Sequence, residues 1–504
     1  MDGDTSALYQ ALAARDPRFD GVFYVGVTST GIYCRPVCTA RTPKEANCKF
    51  FGSAEAAEKA AFRPCLRCRP ELAPGNAPVD DAHRIAHLVA FRIEEGMLDN
   101  GEGLEKIAAS FGWSSRQIRR IVHNELGVSP MELVLTRRLL LAKQLLSETE
   151  MPITQIAFAS GFSSVRRFND AFSRRYGVAP TRMRRAAAGS SDRPASSSTL
   201  TLQLGYRAPF DWHGMLRFLR ARALRGVEFV SNDAYSRTVR LGAHTGAVTV
   251  RQITAKRVLS VELSHALTPV LPALLTRLRG LFDLAARPDL ISEQLKRDHL
   301  LAAVVARNPG LRVPGAFDGF ELAVRAILGQ QVTVKGATTL AGRYVDALGE
   351  RLDPMVDALS LAAQQQDSLT HLSPTAERVA AVSVADIASL GIVQMRARGI
   401  IAVAQEIVSG RLMLDAGVDP EATMKQLVAL PGIGHWTAHY VAMRALRWPD
   451  AFPKEDMVLR KALGGVTVAR AEELSQQWRP WRSYATLHLW QGLAEPHDPS
   501  SSDD

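Results

Sequence analysis

The segment Leu430-Pro431-Gly432-Ile433-Gly434 constrains what this chain can fold into more than any other. Pro431 has a fixed φ angle and no N–H group, while Gly432 and Gly434 permit tight backbone angles and the close approach of another backbone. The pattern predicts a helix, a hairpin and a second helix over residues 436–446. Without obstructing side chains, the hairpin amides and the N-terminus of the second helix can face a phosphate group, although an ordinary interhelical turn would contain the same residues.

A carboxylate follows the hairpin at a defined separation. Asp456 lies 22 positions after Gly434, at the end of Pro453-Lys454-Glu455-Asp456. This combination resembles the helix-hairpin-helix DNA glycosylase superfamily, in which an active aspartate lies opposite the hairpin. The resemblance implies that Asp456 is catalytic and that Gly432 and Gly434 contact DNA. An aspartate that only caps a helix is the alternative.

The length and composition of the chain indicate several domains. Its 504 residues are 46% hydrophobic, so we expect roughly two to four cores. No apolar stretch reaches the roughly 20 residues that a membrane span needs, and the N-terminus lacks the pattern of a signal peptide. We therefore expect a globular cytoplasmic protein, associated with the bacterial nucleoid, with no membrane partner.

Positive charge is concentrated in one region. The net charge is +10, and residues 111–185 contain 13 Lys/Arg but only five Asp/Glu. A charged stretch is often a solvated helix face, but clustering over predicted helices favours nucleic acid as the partner.

All five cysteines lie between Cys34 and Cys68. Cys34-x3-Cys38 and Cys65-x2-Cys68 form two close pairs, a spacing typical of a four-thiolate zinc site in an intracellular protein. Buried thiols without a metal are the alternative, but they do not explain the pairs. Cys48 has no partner at ligand spacing and is expected to be structural. The sequence therefore predicts one Zn²⁺ and, without later cysteines, no iron–sulfur cluster.

Residues 19–70 resemble the N-terminal domain of the Ada family of adaptive-response regulators. The matching motifs are Gly31-Ile32-Tyr33-Cys34-Arg35-Pro36-Val37-Cys38 and Phe62-Arg63-Pro64-Cys65-Leu66-Arg67-Cys68. In that family the first cysteine irreversibly accepts a methyl group from a DNA methylphosphotriester, which implies this role for Cys34; spacing alone does not distinguish the four. Basic residues surround the cysteines, and we expect this rim, including Arg35, to hold DNA phosphates. Methylation removes a negative charge, so DNA affinity should rise.

An internal repeat follows the cysteines. Residues 107–115 return as residues 156–164, and Gly127-Val128-Ser129-Pro130 returns as Gly177-Val178-Ala179-Pro180. Each copy predicts a short apolar helix, a glycine turn, a serine N-cap and an arginine-rich second helix, which is the helix-turn-helix pattern. A helix over residues 131–146 joins the copies. The region resembles the AraC-type DNA-binding domain, which implies a transcription activator with RNA polymerase as a candidate partner.

Six polar residues lie near the starts of the two predicted recognition helices and are candidates for groove contacts: Ser115, Arg116 and Arg119, then Ser164, Arg166 and Arg167. For each of them, a phosphate contact or plain solvation competes with base readout. The aromatic residues of the repeat are expected in its core: Trp113, Phe162, Phe168 and Phe172.

Residues 205–490 resemble the inducible 3-methyladenine-DNA glycosylase II family. The motifs are Arg325-Ala326-Ile327-Leu328-Gly329-Gln330, Pro431-Gly432-Ile433-Gly434-His435-Trp436-Thr437-Ala438 and Trp478-Arg479-Pro480-Trp481-Arg482-Ser483-Tyr484-Ala485. The family joins a small TATA-binding-protein-like α+β domain to helical domains, which agrees with alternating apolar residues after position 199 and helical periodicity from position 288. The resemblance implies an aromatic pocket of Trp436, Tyr440 and Trp481, each of which could instead be core.

The chemistry of base excision assigns further roles. A glycosylase flips the damaged nucleotide out of the duplex and needs a carboxylate beside C1′ in an oxocarbenium-like transition state, which Asp456 can provide. Cationic alkylated purines also attract aromatic faces, at about 0.5–2 kcal/mol per contact. Trp436 replaces the Schiff-base lysine of strand-cleaving relatives, so no β-lyase activity is expected. Gln331 lies where the family has an apolar intercalating wedge.

The sequence thus predicts a mainly α, multidomain monomer that binds double-stranded DNA. Its predicted parts are a small zinc α/β methyl-acceptor domain (1–78), a double helix-turn-helix domain (79–188), a flexible linker (189–198), an α+β domain (199–285), a helix-hairpin-helix glycosylase domain (286–494) and a disordered tail (495–504). The predicted function is release of 3-methyladenine and 7-methylguanine combined with methylation sensing. In one alternative the glycosylase part only binds DNA; in another the zinc is only structural. The Pro-Cys-His-Arg motif of O6-methylguanine methyltransferases is absent.

Overall fold

A computed structural model describes residues 5–15, 19–20, 23–72, 78–99, 103–109, 113–188, 199–352 and 369–494. The chain divides into two compact units, one of residues 1–91 and 102–133 and one of residues 92–101 and 134–504. The predicted linker and tail lie outside the described residues, and the predicted domain boundaries stay predictions. None of the helices in the described ranges is long and apolar enough to cross a membrane.

The first unit begins with a small four-stranded sheet of order β3-β1-β2-β4. Its elements are α1 (Thr5–Ala13), β1 (Tyr24–Val27), β2 (Ile32–Cys34), β3 (Cys48–Phe51), α2 (Ala54–Lys59) and β4 (Arg63–Pro64). Strand β1 pairs antiparallel with β2 and β3, and β2 pairs parallel with β4. Gly26 in β1 is required sterically, because a Cβ there would lie 2.8 Å from the Phe51 ring and 2.9 Å from the Phe62 ring.

Seven helices form the two predicted helix-turn-helix copies and their surroundings: α3 (Pro78–Glu94), α4 (Leu104–Ala109), α5 (Ser115–Leu126), α6 (Pro130–Glu148), α7 (Ile153–Ala159), α8 (Val165–Tyr176) and α9 (Pro180–Ala188). The second helices α5 and α8 share the same caps. Ser114 and Ser164 accept backbone N–H bonds at their N-termini, and left-handed Gly127 and Gly177 end them. The repeat thus encodes the same local geometry twice, because serine caps and glycine stops recur at the same spacing.

A five-stranded antiparallel sheet of order β5-β9-β8-β7-β6 follows in the second unit. Its elements are β5 (Thr199–Gly205), α10 (Trp212–Arg220), β6 (Glu228–Val230), β7 (Ala234–Leu241), β8 (His244–Ile253), β9 (Val258–Ser264) and α11 (Leu271–Leu281). The predicted α+β class is confirmed here, because the alternating apolar residues of β5 form one buried face.

The second helix-turn-helix copy packs against this sheet. Gln144 Nε2 in α6 donates to the backbone oxygen of Gln203 in β5 at 2.8 Å, and the Gln203 N–H donates to Glu148 Oε2 at 2.7 Å. Buried apolar residues of both parts, including Phe172 and Leu202, belong to one continuous core. The two parts are therefore joined by packing as well as by the chain.

The remaining described chain is mostly helical, as predicted. Its elements are α12 (Pro288–Leu295), α13 (Ala302–Arg307), α14 (Gly319–Leu328), α15 (Val334–Leu348), β10 (Glu350–Arg351), β11 (His371–Leu372), α16 (Ala376–Ala380), α17 (Val384–Ala388), α18 (Gln394–Val408), α19 (Pro420–Val428), α20 (His435–Arg444), α21 (Met457–Ala462), α22 (Val468–Ser475) and α23 (Arg482–Ala494). Helix α14 packs against α18 and α20 in the centre of this core, and the ends of these three helices position the site.

Candidate active site and metal centre

The predicted hairpin connects α19 to α20. Gly432 has a φ of +73°, and a Cβ there would lie 3.1 Å from Met395, so both conformation and space favour glycine. Gly434 is the N-cap of α20, where a Cβ would meet nothing within 4 Å. Gln330 Nε2 donates to the Gly432 oxygen and to Thr437 Oγ1, both at 2.9 Å, which ties the end of α14 to the hairpin. Both glycines are exposed, and their contacts with DNA stay predictions.

Asp456 is held by three N–H groups. Its Oδ1 accepts from the Leu459 amide at 2.7 Å and from Trp490 Nε1 at 3.1 Å, and its Oδ2 accepts from Trp436 Nε1 at 2.7 Å. The residue is 9% exposed. Asp456 therefore caps α21 and also faces the aromatic residues, so the two interpretations of this aspartate are compatible.

Stacked aromatic rings form the wall beside this carboxylate. Trp436 and Tyr440, one turn apart on α20, have ring centroids 5.3 Å apart and an interplanar angle of 13°; Trp490 lies 6.4 Å from Tyr440. The Tyr440 hydroxyl accepts from Arg444 Nη1 at 2.7 Å. Burial raises the pKa of Tyr440, but the nearby cations Arg444 and Arg222 outweigh it, so the net shift of this pKa is downward.

These groups line a cleft of about 990 Å³. Its lining includes, besides Asp456 and the three rings, a second carboxylate, several arginines, a glutamine and exposed apolar residues: Glu455, Arg222, Arg325, Arg444, Gln331, Val332, Met395 and Met457. A cleft of this size, with aromatic walls and convergent charged groups, has the properties of a small-molecule or nucleobase site.

The structure does not bring Trp481 into this cleft. Its ring packs edge-on against Tyr484 at 5.8 Å, and Trp490 lines the cleft instead. Trp481 directly precedes α23, whereas Trp490 lies within this helix, so the two indoles are not interchangeable in position. The sequence motif that contains Trp481 did not indicate that Trp490 lines the cleft. The need of a buried indole N–H group for an acceptor could have indicated this role of Trp490.

Gln331 does line the cleft. It is exposed and has a φ of +52°, three residues after the end of α14 and next to the exposed Val332. A left-handed backbone in a residue other than glycine is strained and is often associated with function. Its predicted part in filling the gap left by a flipped base stays a prediction.

The four paired cysteines converge in the first unit. The Sγ atoms of Cys34, Cys38, Cys65 and Cys68 all lie within 4.8 Å of one another. Thiolates about 2.3 Å from a tetrahedral Zn²⁺ would be about 3.8 Å apart, so the cluster fits zinc. Cys48 is outside this group, and its thiol donates to the Lys44 oxygen at 3.4 Å.

Arg35 differs from the other basic residues near the cysteines. It is fully buried, and its guanidinium forms a salt bridge with Asp20, with Nε 2.7 Å from Oδ1. Its amide donates to Cys68 Sγ at 3.4 Å. Its charge is therefore neutralised inside the domain, and its contact with DNA stays a prediction; the exposed basic residues of the predicted rim are Arg41, Lys44, Lys49, Arg63 and Arg67.

The helix-turn-helix candidates differ in exposure. The four arginines Arg116, Arg119, Arg166 and Arg167 are exposed, whereas Ser115 is half-buried and Ser164 caps α8. Arg119 also lies 3.7 Å from Glu105. Phe162, Phe168 and Phe172 are buried as predicted, and Trp113 is half-buried. The DNA contacts of the six candidates stay predictions.

Four family models match successive parts of the chain. They are described as the metal binding domain of Ada (residues 7–71), a helix-turn-helix domain (107–186), the AlkA N-terminal domain (201–318) and the HhH-GPD superfamily base excision DNA repair protein (324–480). The matches follow the order predicted from the sequence.

Three relatives illustrate the two halves and their combination. The "Probable bifunctional transcriptional activator/DNA repair enzyme AlkA" of Mycobacterium tuberculosis is 40% identical and covers 98% of both chains. DNA-3-methyladenine glycosylase 2 of Escherichia coli is 37% identical over 57% of this chain and 95% of its own. The bifunctional Ada of Escherichia coli is 36% identical over 24% of this chain and 33% of its own. This chain therefore belongs to the family of bifunctional AlkA-type transcriptional activators and DNA repair enzymes.

Proposed function

We propose that residues 199–494 are a monofunctional DNA glycosylase that hydrolyses the N-glycosidic bond of alkylated purines such as 3-methyladenine and 7-methylguanine. The observation that carries this proposal is the position of Asp456, whose carboxylate is oriented by two indole N–H groups in the wall of a cleft large enough for a flipped nucleotide. The glycosylase relatives and the helix-hairpin-helix family model support the same conclusion.

Each part of the cleft has a task in this reaction. The hairpin at Gly432 and Gly434 holds the DNA backbone, Gln331 fills the space of the flipped base, and Trp436 and Tyr440 stack on the cationic purine. The Asp456 carboxylate then stabilises positive charge on the sugar as the C1′–N bond breaks, and water adds to C1′. The cleft presents an indole rather than a lysine amine at position 436, so strand cleavage is not expected.

Release of 3-methyladenine from methylated duplex DNA, measured under single-turnover conditions, tests this assignment. Asp456→Asn should lower the rate by at least about a hundredfold, the loss typical of one preorganised electrostatic group. Asparagine still caps a helix, but its NH2 group cannot accept the N–H bond of Trp436, so thermal unfolding should show a modest loss of stability, on the order of 1 kcal/mol, beside the much larger loss of rate. No release by the wild-type protein would leave the alternative, in which this half only binds DNA.

The first unit is proposed to accept a methyl group on Cys34 and to transmit this event to DNA binding. A zinc ion held by the four cysteines would keep their sulfurs as thiolates at neutral pH. The Cys34 sulfur attacks the methyl carbon, an S–C bond forms, the bond between the methyl carbon and its phosphate oxygen breaks, and the phosphodiester anion leaves. Loss of one negative charge beside the exposed basic rim then strengthens DNA binding, and the helix-turn-helix region directs the protein to promoters.

Incubation with methylphosphotriester DNA followed by peptide mass spectrometry tests the acceptor assignment. One added methyl group is expected on Cys34, and Cys34→Ala should carry none. Cys48→Ser is the matched control and should still be methylated. A wild-type protein that binds zinc but gains no methyl group would indicate a purely structural metal.

A further inference from the structure

Glu455 is a second carboxylate in the wall of the cleft, adjacent in the chain to Asp456. Its Oε2 atom is buried and has no hydrogen-bond partner, and among the described residues neither of its oxygens forms a hydrogen bond or a salt bridge. Asp456 instead accepts three N–H bonds. A buried carboxylate oxygen without a partner costs free energy, and such groups in native proteins call for an explanation.

No structural task accounts for this side chain. Asp456, not Glu455, caps α21, and the neighbouring Lys454 pairs with Glu472 at 3.4 Å. A group that stabilises nothing in the free protein but faces a cleft is a candidate for contact with the substrate.

Two arginine side chains in the same cleft make the negative charge of Glu455 relevant to the binding of a cationic base. Arg222 and Arg444 both line the cleft, and within the described part of the chain neither has a carboxylate partner. Arg325 is different, because Glu228 and Glu321 lie 3.0 and 3.4 Å from its guanidinium. A cationic base that enters the cleft is therefore repelled by two guanidiniums unless carboxylates compensate.

We propose that Glu455 determines the preference of the cleft for cationic bases, by pairing its unpartnered carboxylate with the charge of an N3- or N7-alkylated purine. The inference rests on the proposed function, because it takes a flipped alkylated base as the ligand. Asp456 has committed three of roughly four acceptor positions to N–H donors, so Glu455 supplies the acceptor capacity that remains. Glu455 is then a specificity-determining residue, distinct from the group that stabilises the sugar cation.

A pair of isosteric bases isolates the charge. Two duplexes carry one 2′-fluorinated nucleotide, which resists hydrolysis, with either cationic 7-methylguanine or neutral 7-methyl-7-deazaguanine. The full-length wild-type protein should bind the cationic duplex about tenfold more tightly, a difference of about 1.4 kcal/mol. Glu455→Gln, which keeps the shape of the side chain, should reduce this preference to about twofold or less, and Glu455→Asp should retain part of it.

Two controls separate this effect from a change in folding. Glu473→Gln removes an exposed carboxylate that pairs with Arg470, and it should leave the preference unchanged. Glu455→Gln should unfold at the same temperature as the wild type or higher, because it removes a buried charge without a partner.

The outcomes distinguish the inference from the proposed function. A wild type without preference, a preference that survives Glu455→Gln, or equal weakening on both duplexes would overturn the inference. Release of 7-methylguanine from a cleavable duplex is measured in parallel: its absence in the wild type refutes the glycosylase assignment, whereas normal release with an unaltered preference in Glu455→Gln refutes only the part assigned to Glu455.

Discussion

Replacing Trp490 by phenylalanine tests how Asp456 is positioned. The change keeps an aromatic ring near Tyr440 but removes the N–H group that donates to Asp456 Oδ1 at 3.1 Å. Hydrogen bonds to charged groups contribute about 1.5–3 kcal/mol, and this bond is the longest of the three. At the lower limit of that range, about 1.5 kcal/mol, single-turnover release of 7-methylguanine should slow about tenfold.

Two further variants provide a scale for the tenfold loss of rate expected for Trp490→Phe. Trp436→Phe removes the 2.7 Å bond to Oδ2, so it should slow release more, by about a hundredfold at the upper limit of the same range. Trp481→Phe is the matched control, because its ring contacts Tyr484 outside the cleft, and its rate should stay within about twofold. A large loss in Trp481→Phe with no loss in Trp490→Phe would refute the reasoning and favour the pocket inferred from sequence resemblance.

Other consequences of the structure can be tested separately. Gly432→Ala should destabilise the protein by about 1–2 kcal/mol in thermal unfolding, because of its positive φ, whereas Gly434→Ala should leave stability unchanged and weaken DNA binding only. Cleavage at a protease site placed within residues 189–198 should leave the two fragments associated in gel filtration; fragments that separate would contradict the shared core. Burial lowers the pKa of His488 from 6.5 to about 4, so the unfolding free energy should fall as pH drops from 6.5 towards 4, and His488→Gln should flatten this dependence in denaturant titrations.

The sequence predicted those features that local chemistry determines. A glycine with positive φ, a serine cap and a pair of cysteines two or three residues apart each impose a local geometry, so the hairpin, the recognition helices and the cysteine cluster were predictable. The separation between Gly434 and Asp456 was informative for a different reason, its resemblance to the helix-hairpin-helix glycosylase superfamily. These local geometries do not depend on how the rest of the chain packs.

Tertiary packing determined the features that the sequence did not predict. An arginine beside a cysteine pair suggests a surface cation, and only the fold pairs Arg35 with Asp20. Trp481 and Trp490 belong to one tryptophan-rich region, and which indole reaches the cleft depends on the orientation of α23. Glu455 and Asp456 are adjacent carboxylates, and the sequence does not reveal that, within the described ranges, Asp456 accepts three hydrogen bonds while Glu455 accepts none.

The contact between α6 and β5 indicates that the second helix-turn-helix copy and the five-stranded sheet are packed together rather than connected only by a flexible linker. Strand β5 is an edge strand, and the N–H and C=O groups of Gln203 would be unpaired there without Gln144 and Glu148. Apolar residues of the second helix-turn-helix copy extend the same core, so removing either part exposes apolar surface on the other. A flexible tether would let DNA binding and base excision evolve separately, whereas a shared core makes the stability of the second helix-turn-helix copy depend on the sheet of the glycosylase half.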